Sequence, residues 1–305
     1  MELVTQEDYL AFVAEQREVE IENVKVPLRG PYRPSKLEPP SSYQMEATTV
    51  WSFPERGDWA THTGNYRGNW SPYIPRNLIL RYTEPGETVL DPMMGSGTTL
   101  VECKLLGRRG IGVDINMSAV MVARDRLFFE YERPSHWPPE CSIFTYVGDC
   151  RNLDKLEDGS VDLIATHPPY AGIISYSRSR VPGDLSSLNV DNYLREMLVV
   201  AHEMFRVLKP GGHCALLVGD TRRHLHYVPI AYRVMDAFLE AGFLLREDII
   251  KLQWKMKATR ERWRGHVYPF YKIAHEHLFV FRKPGRGEKV SRLRYSARRL
   301  DGRLL

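Results

Sequence analysis

What this chain lacks removes several classes of function. It has no run of about 18 apolar residues to span a bilayer, and its N-terminus, MELVTQEDYL, carries acids where a secretory leader would carry positive charge. A cytoplasmic protein with no membrane partner is expected. Cysteine is scarce: Cys103, Cys141, Cys150 and Cys214 show no C-x-x-C spacing and no histidine at zinc-ligand distance. Reduced core thiols are therefore expected, with neither a disulfide framework nor a metal site. Internal repeats and long low-complexity tracts are also missing. The phosphate-loop pattern G-x-x-x-x-G-K-[ST] does not occur, which disfavours a triphosphate ligand.

What is present reads as a globular α/β protein. The 305 residues, 43% of them hydrophobic and 26% charged, suffice for one large domain or two small ones. The first 58 residues are rich in proline and poor in periodicity, and they read as an irregular arm after a short helix near residues 6–19. From Thr88 onward, strand-like runs alternate with helical stretches: TVLDPMM, RGIGVDI, IFTYVGD, VDLIATHPP, HCALLVGD, FLLREDIIKLQ and HEHLFVFRK, with helices expected over residues 98–106, 118–131, 190–208 and 229–241. That alternation predicts a seven-stranded, mainly parallel sheet of Rossmann-like type with helices on both faces. The last two runs, with no clear helix between them, form an antiparallel pair at its edge. The units expected are the arm (1–58), a catalytic domain (59–283) with an insertion at 253–272, and a basic, mobile tail (284–305).

The net charge of +4 is small, but the positive residues gather late in the chain. One group is Lys251, Lys255, Lys257, Arg260, Arg262 and Arg264; another runs from Arg282 to Arg299. Such runs are ordinarily solvated faces or loose tails and acquire meaning only beside a motif.

DPMMGSGTT, residues 91–99, lies at a strand-to-helix junction. Gly95 and Gly97 let the backbone approach a ligand, Thr98 opens a helix whose N-terminus offers free N–H groups, and Asp91 can meet a positive ligand group. Pro92 and Met93 complete the turn. In GVDIN, Asp114 and Ile115 follow the second strand, and an acid about 20 residues beyond a glycine loop suits ribose hydroxyls. In VGDC, Asp149 and Cys150 follow the third strand, where the acid can reach an adenine amino group. A lone Asp in such a place is ordinarily a helix cap or turn former. Three at adjacent strand ends form a constellation that fits an adenosine ligand without phosphate.

On these residues the chain resembles the class I S-adenosylmethionine-dependent methyltransferases, and within them the DNA amino-methyltransferases that modify adenine N6 or cytosine N4. DPMMGSGTT resembles the family's cofactor loop, DPFxGSGTT; THPPY, residues 166–170, resembles its catalytic motif, (D/N/S)PPY. The segment at residues 68–92 resembles the turn and helix closing over the methionine end of the cofactor, which brings Tyr73 and Pro75 into the expected site. The resemblance implies S-adenosyl-L-methionine as cofactor, double-stranded DNA as substrate and, in restriction-modification systems, a cognate endonuclease. It also implies roles at the catalytic turn: His167 and the Pro168 carbonyl accept the hydrogens of a flipped base's amine, Pro169 rigidifies the turn, and Tyr170 stacks on the base.

His167 stands where the family has Asp, Asn or Ser. The resemblance implies Asp or Asn at this place in adenine enzymes and a non-acidic residue, commonly serine, in cytosine N4 enzymes, so the favoured product is N4-methylcytosine. N6-methyladenine is second, and a tRNA guanosine N2 methyltransferase third. Cytosine C5 chemistry needs a cysteine after proline, and no Pro-Cys dipeptide exists here. Nucleic-acid contacts are expected from Arg178 and Arg180 and, within the insertion, from Trp254, Lys255, Lys257, Arg260, Arg262, Trp263 and Arg264. The insertion's aromatics would equally well pack beneath their own loop.

Overall fold

The computed structural model describes residues 1–21, 24–66, 68–169, 181–254 and 269–298. The N-terminal segment holds regular elements: β1 (Glu2–Val4), α1 (Gln6–Glu15), the antiparallel pair β2 (Glu18–Ile21) and β3 (Val24–Pro27), and β4 (Val50–Ser52). Then follow α2 (Tyr73–Tyr82), β5 (Thr88–Asp91), α3 (Thr98–Leu106), β6 (Arg109–Asp114), α4 (Met117–Leu127), β7 (Ile143–Val147) and β8 (Val161–Thr166). The last part comprises α5 (Val190–Val207), β9 (Leu208–Val218), a small pair β10 (Thr221–Arg223) and β11 (His226–Val228), α6 (Ile230–Glu240), β12 (Leu244–Leu252) and β13 (His275–Arg282).

The main sheet has nine strands in the order β1-β7-β6-β5-β8-β9-β13-β12-β4. Its inner seven are the expected ones: β7, β6, β5, β8 and β9 run parallel, and β13 lies antiparallel between β9 and β12. The sequence reading missed the outer two. β1 pairs antiparallel with β7, and β4 pairs parallel with β12, so the N-terminal segment closes both sheet edges. Three-residue strands are too short for an alternation to be visible in sequence.

The central strands are buried on both faces, as parallel strands must be; Val89, Leu90, Leu163, Ile164, Ala165, Cys214 and Leu216 are fully enclosed. On one side α5 and α6 pack Tyr193, Met197, Val200, Val234 and Phe238 against the sheet. On the other lie α2, α3, α4 and the N-terminal segment.

Two buried carboxylates tie that segment down. Asp125 on α4 accepts hydrogen bonds from the Tyr9 and Tyr32 hydroxyls and from the Arg29 and Gly30 N–H groups. Glu102 on α3, with no exposed surface, accepts from Trp59 Nε1 and His62 Nε2, each at 2.7 Å, and from Arg76 Nη1 at 2.9 Å. The irregular arm of the sequence reading is therefore an ordered cover.

The tail departs from expectation as well. The Ser296 carbonyl accepts the Leu245 N–H at 2.8 Å, Arg282 pairs with Glu288, and Arg298 pairs with Glu240. The described part of the tail thus lies on α6 and the start of β12, at the sheet end opposite the strand ends that carry Asp91 and Thr166.

Candidate active site

The chain runs outward from β5 to β6 and β7, then returns to β8 on the other side of β5. Such a reversal opens a crevice at the carboxyl ends of the parallel strands. A cleft of about 890 Å³, its open mouth included, lies there. It is lined by the glycine loop, the ends of β6 and β7, residues 68–70, His167 and Pro169, and the turn at 181–185.

Asp91 is 2% exposed, and the hydroxyls of Thr99 and Thr166 donate to its two oxygens. Asp114 accepts the Gly95 N–H through Oδ2 and the Asn116 N–H through Oδ1, both at 2.9 Å. Neither carboxylate meets a lysine or arginine among the described residues. Burial pushes both up to about 6, opposed by the hydrogen bonds each accepts. Two enclosed carboxylates without a cation suit a ligand that carries positive charge and hydroxyl groups. Asp149 is held differently: Arg151 Nε lies 2.9 and 3.0 Å from its two oxygens, and the same guanidinium reaches Glu196 and the Gly183 carbonyl.

His167 directly follows β8, and its imidazole is stacked on Trp70 with centroids 6.1 Å apart and planes 22° apart. Burial holds the ring down at about 4; nearby Glu276 opposes this, and nearby Lys251 reinforces it. Those two charges are paired with each other at 2.8 Å on the adjacent strands β12 and β13. At neutral pH the ring is uncharged, so one of its nitrogens is an acceptor.

Of the residues expected at the cofactor, Asp91, Pro92, Met93, Gly95, Thr98, Asp114, Ile115, Asp149 and Cys150 line the cleft. Three do not. Tyr73 is packed in an aromatic cluster, stacked on Phe53 at 5.2 Å and on Tyr43 at 5.6 Å and edge-on to Trp59 at 4.9 Å. Pro75 is buried inside the first turn of α2. Gly97 caps α3 at φ 76°, and a Cβ there would sit 2.9 Å from the Ala123 Cβ, so it serves the contact between α3 and α4.

Of the expected catalytic turn, His167 and Pro169 line the cleft, and Pro168 is buried. Tyr170, Arg178, Arg180, Lys255, Lys257, Arg260, Arg262, Trp263 and Arg264 lie outside the described residues. Trp254 is 39% exposed, and its Nε1 donates to Ser52 Oγ at 3.1 Å.

The segment expected at the cofactor, residues 68–92, does supply part of one wall of the cleft, through Gly68, Asn69 and Trp70 beside Tyr66, although none of these is singled out in the sequence; the opposite rim, Val181, Gly183, Asp184 and Leu185, is not expected from it at all. The first wall lies only a few residues before Tyr73, in GNW, where a conspicuous tryptophan was a usable signal. The rim carries no periodic pattern and becomes adjacent only through the fold.

The DNA methylase family description, for N6 and N4 enzymes, matches residues 4–125 and 161–302, and a second, the RMKL-like methyltransferase domain, matches residues 78–186. Among curated relatives, the type II methyltransferase M.MthZI of Methanothermobacter thermautotrophicus is 28% identical over 157 residues, 46% of this chain and 44% of that protein. M2.DpnII of Streptococcus pneumoniae, also a type II methyltransferase, is 47% identical over 60 residues, 20% of this chain and 22% of that protein. The aligned parts thus span less than half of these relatives. A solved SAM-dependent methyltransferase of Methanosarcina mazei superposes with a TM-score of 0.46 at 16% identity, covering 68% of this chain and 97% of that one. With the family match extending over most of its length, this chain belongs to the N6/N4 DNA methylase family of S-adenosylmethionine-dependent enzymes.

Proposed function

We propose that this protein methylates an exocyclic amine of a base flipped out of double-stranded DNA, and that the base is cytosine, modified at N4. The observation that carries the reading is the placement of a neutral His167 at the carboxyl end of β8, on the same cleft as the Asp91–Gly95 loop. When bound, S-adenosylmethionine supplies an electrophilic methyl group on a sulfonium centre. In this reading Asp114 takes the ribose hydroxyls, Asp149 the adenine amino group, and Asp91 with the loop N–H groups the amino-acid end, while Trp70 and Tyr66 wall the cleft.

The reacting amine is a poor nucleophile because its lone pair is delocalised into the ring. His167 and the Pro168 carbonyl have the chemistry to accept its two hydrogens and so hold the nitrogen in line for attack. Adenine enzymes of the family usually carry Asp or Asn at this place, so a residue that is neither favours cytosine, and Tyr170 has the ring for stacking. Methylation of mixed DNA and RNA by the purified protein, followed by mass spectrometry of the nucleosides, tests the reading. N4-methylcytosine in DNA supports it; methyl groups found only in RNA refute it.

A further inference from the structure

We infer that the β10–β11 hairpin enters the DNA duplex, with Leu225 at its tip taking the place of the flipped base between its neighbours and Arg223, His224 and His226 facing phosphates. The inference rests on the DNA reading above. It starts from position: β9 runs parallel to β8 with Leu216 opposite Thr166, so the chain leaves β9 at the sheet end where His167 opens, and the hairpin begins three residues after Val218.

The tip is built in a way that folding alone would not choose. His224 and Leu225 form the two-residue turn with φ of 49° and 67°, a conformation normally given to Asn-Gly. Leu225 is 59% exposed, and among the described residues it joins no hydrophobic cluster that would offset this strain. Strained, exposed apolar residues at loop tips are candidates for function.

The base of the hairpin is clamped. The Tyr227 hydroxyl donates to Asp220, which also accepts the Ala231 N–H at 2.8 Å. Arg222 donates to the Tyr271 carbonyl at 2.7 Å, and its guanidinium lies 4.9 Å from the Phe270 ring centroid. Asp220, the one acid in residues 219–228, is thereby occupied beneath the turn, and the exposed tip carries Arg223, His224 and His226. A leucine flanked by cationic and hydrogen-bonding groups on a rigid ribbon matches the wedges that separate base steps, and a flipping enzyme must fill or tolerate the gap it makes.

The test uses the full chain on a synthetic duplex holding the site that sequencing of a methylated plasmid reveals. Single-turnover methylation is measured on that duplex and on one whose target base is mismatched, so that it is already partly out of the stack. Leu225→Ala is expected to be at least tenfold slower on the matched duplex and within about threefold of wild type on the mismatched one, with cofactor affinity unchanged. Leu225→Asn, which suits positive φ, is expected to melt at a higher temperature and still be slow on the matched duplex. Wild-type rates for both variants on the matched duplex, or equal losses on both duplexes, overturn the hairpin's role. A wild-type protein that leaves duplex DNA unmethylated, or methylates only RNA, overturns the DNA reading and this inference with it.

Discussion

The Asp114 carboxylate accepts the Gly95 N–H at 2.9 Å, joining the end of β6 to the glycine loop across 19 residues of sequence. Its other oxygen accepts the Asn116 N–H, so the acid both shapes the cleft floor and keeps remaining lone pairs for a ligand. Asp114→Ala should weaken S-adenosylmethionine binding tenfold or more, about 1.4 kcal/mol or above by calorimetry. Asp114→Asn should not rescue it, because an amide must turn a donor toward one of two N–H groups. Unchanged affinity in Asp114→Ala would show the adenosine to be elsewhere.

The same acid gives cofactor binding a pH dependence. Its carboxyl is raised to about 6 in the folded chain, so it is ionised above that pH and protonated below it. A protonated Asp114 loses acceptor capacity, so affinity should fall as pH drops through about 6 and stay level from 7 upward. The Asp114→Ala protein should show a flatter profile over the same range.

Glu102 joins α3 to Trp59, His62 and Arg76. Burial alone would raise its carboxyl, but Arg76 and His62 hold it below its ordinary value. Glu102→Ala leaves the Arg76 cation buried without its partner, which typically costs about 3–5 kcal/mol. Urea unfolding should show that loss, and proteolysis should cut the N-terminal segment sooner than in wild type. A loss below about 1 kcal/mol would make the network incidental to the docking of this segment.

His167 should act as a neutral group. With its pKa near 4, its own titration leaves methyl transfer level from pH 6 to 8, and a fall attributable to it appears only toward pH 4. His167→Ala should lose rate, and His167→Ser, whose hydroxyl still accepts a hydrogen bond, should retain more. The linkage to stability has a definite sign. The unfolded chain binds the proton near the reference value of about 6.5 and the folded chain only near 4, so this group destabilises the fold as pH falls between those values. His167→Ala should remove that slope from acid unfolding curves; a wild-type slope in the variant would make the burial unimportant.

Much of this was legible in sequence because the core strands are long and apolar and the helices between them periodic. The sequence predicts α3 over Thr98–Leu106, its observed span, and the glycines before it and Gly107 after it mark its ends. The Asp91, Asp114 and Asp149 cluster was legible because parallel strands deliver their ends to one crevice. The edge strands β1 and β4, the latches at Asp125 and Glu102, and the packing of the tail were not, since each depends on contacts between segments far apart in the chain. The division between Trp70 and Tyr73 is hidden for a related reason: aromatic residues near a site look alike in sequence, and only packing decides that Trp70 lines the cleft while Tyr73 packs on Phe53 and Trp59.

Gly97 carries a prediction from the same contrast. Its left-handed backbone and the 2.9 Å approach of a Cβ to Ala123 make Gly97→Ala destabilising by at least about 1 kcal/mol. Because Gly97 does not line the cleft, the folded fraction of that variant should bind S-adenosylmethionine within about threefold of wild type by calorimetry.

The most direct measurement is the identity of the methylated nucleoside in duplex DNA incubated with the purified protein and S-adenosylmethionine, read by mass spectrometry for wild type and His167→Ala. N4-methylcytosine from wild type, strongly reduced in the variant, is the expected result. N6-methyladenine as the sole product, or equal N4-methylcytosine from both proteins, would contradict the assignment of His167 as a neutral acceptor for the cytosine amine.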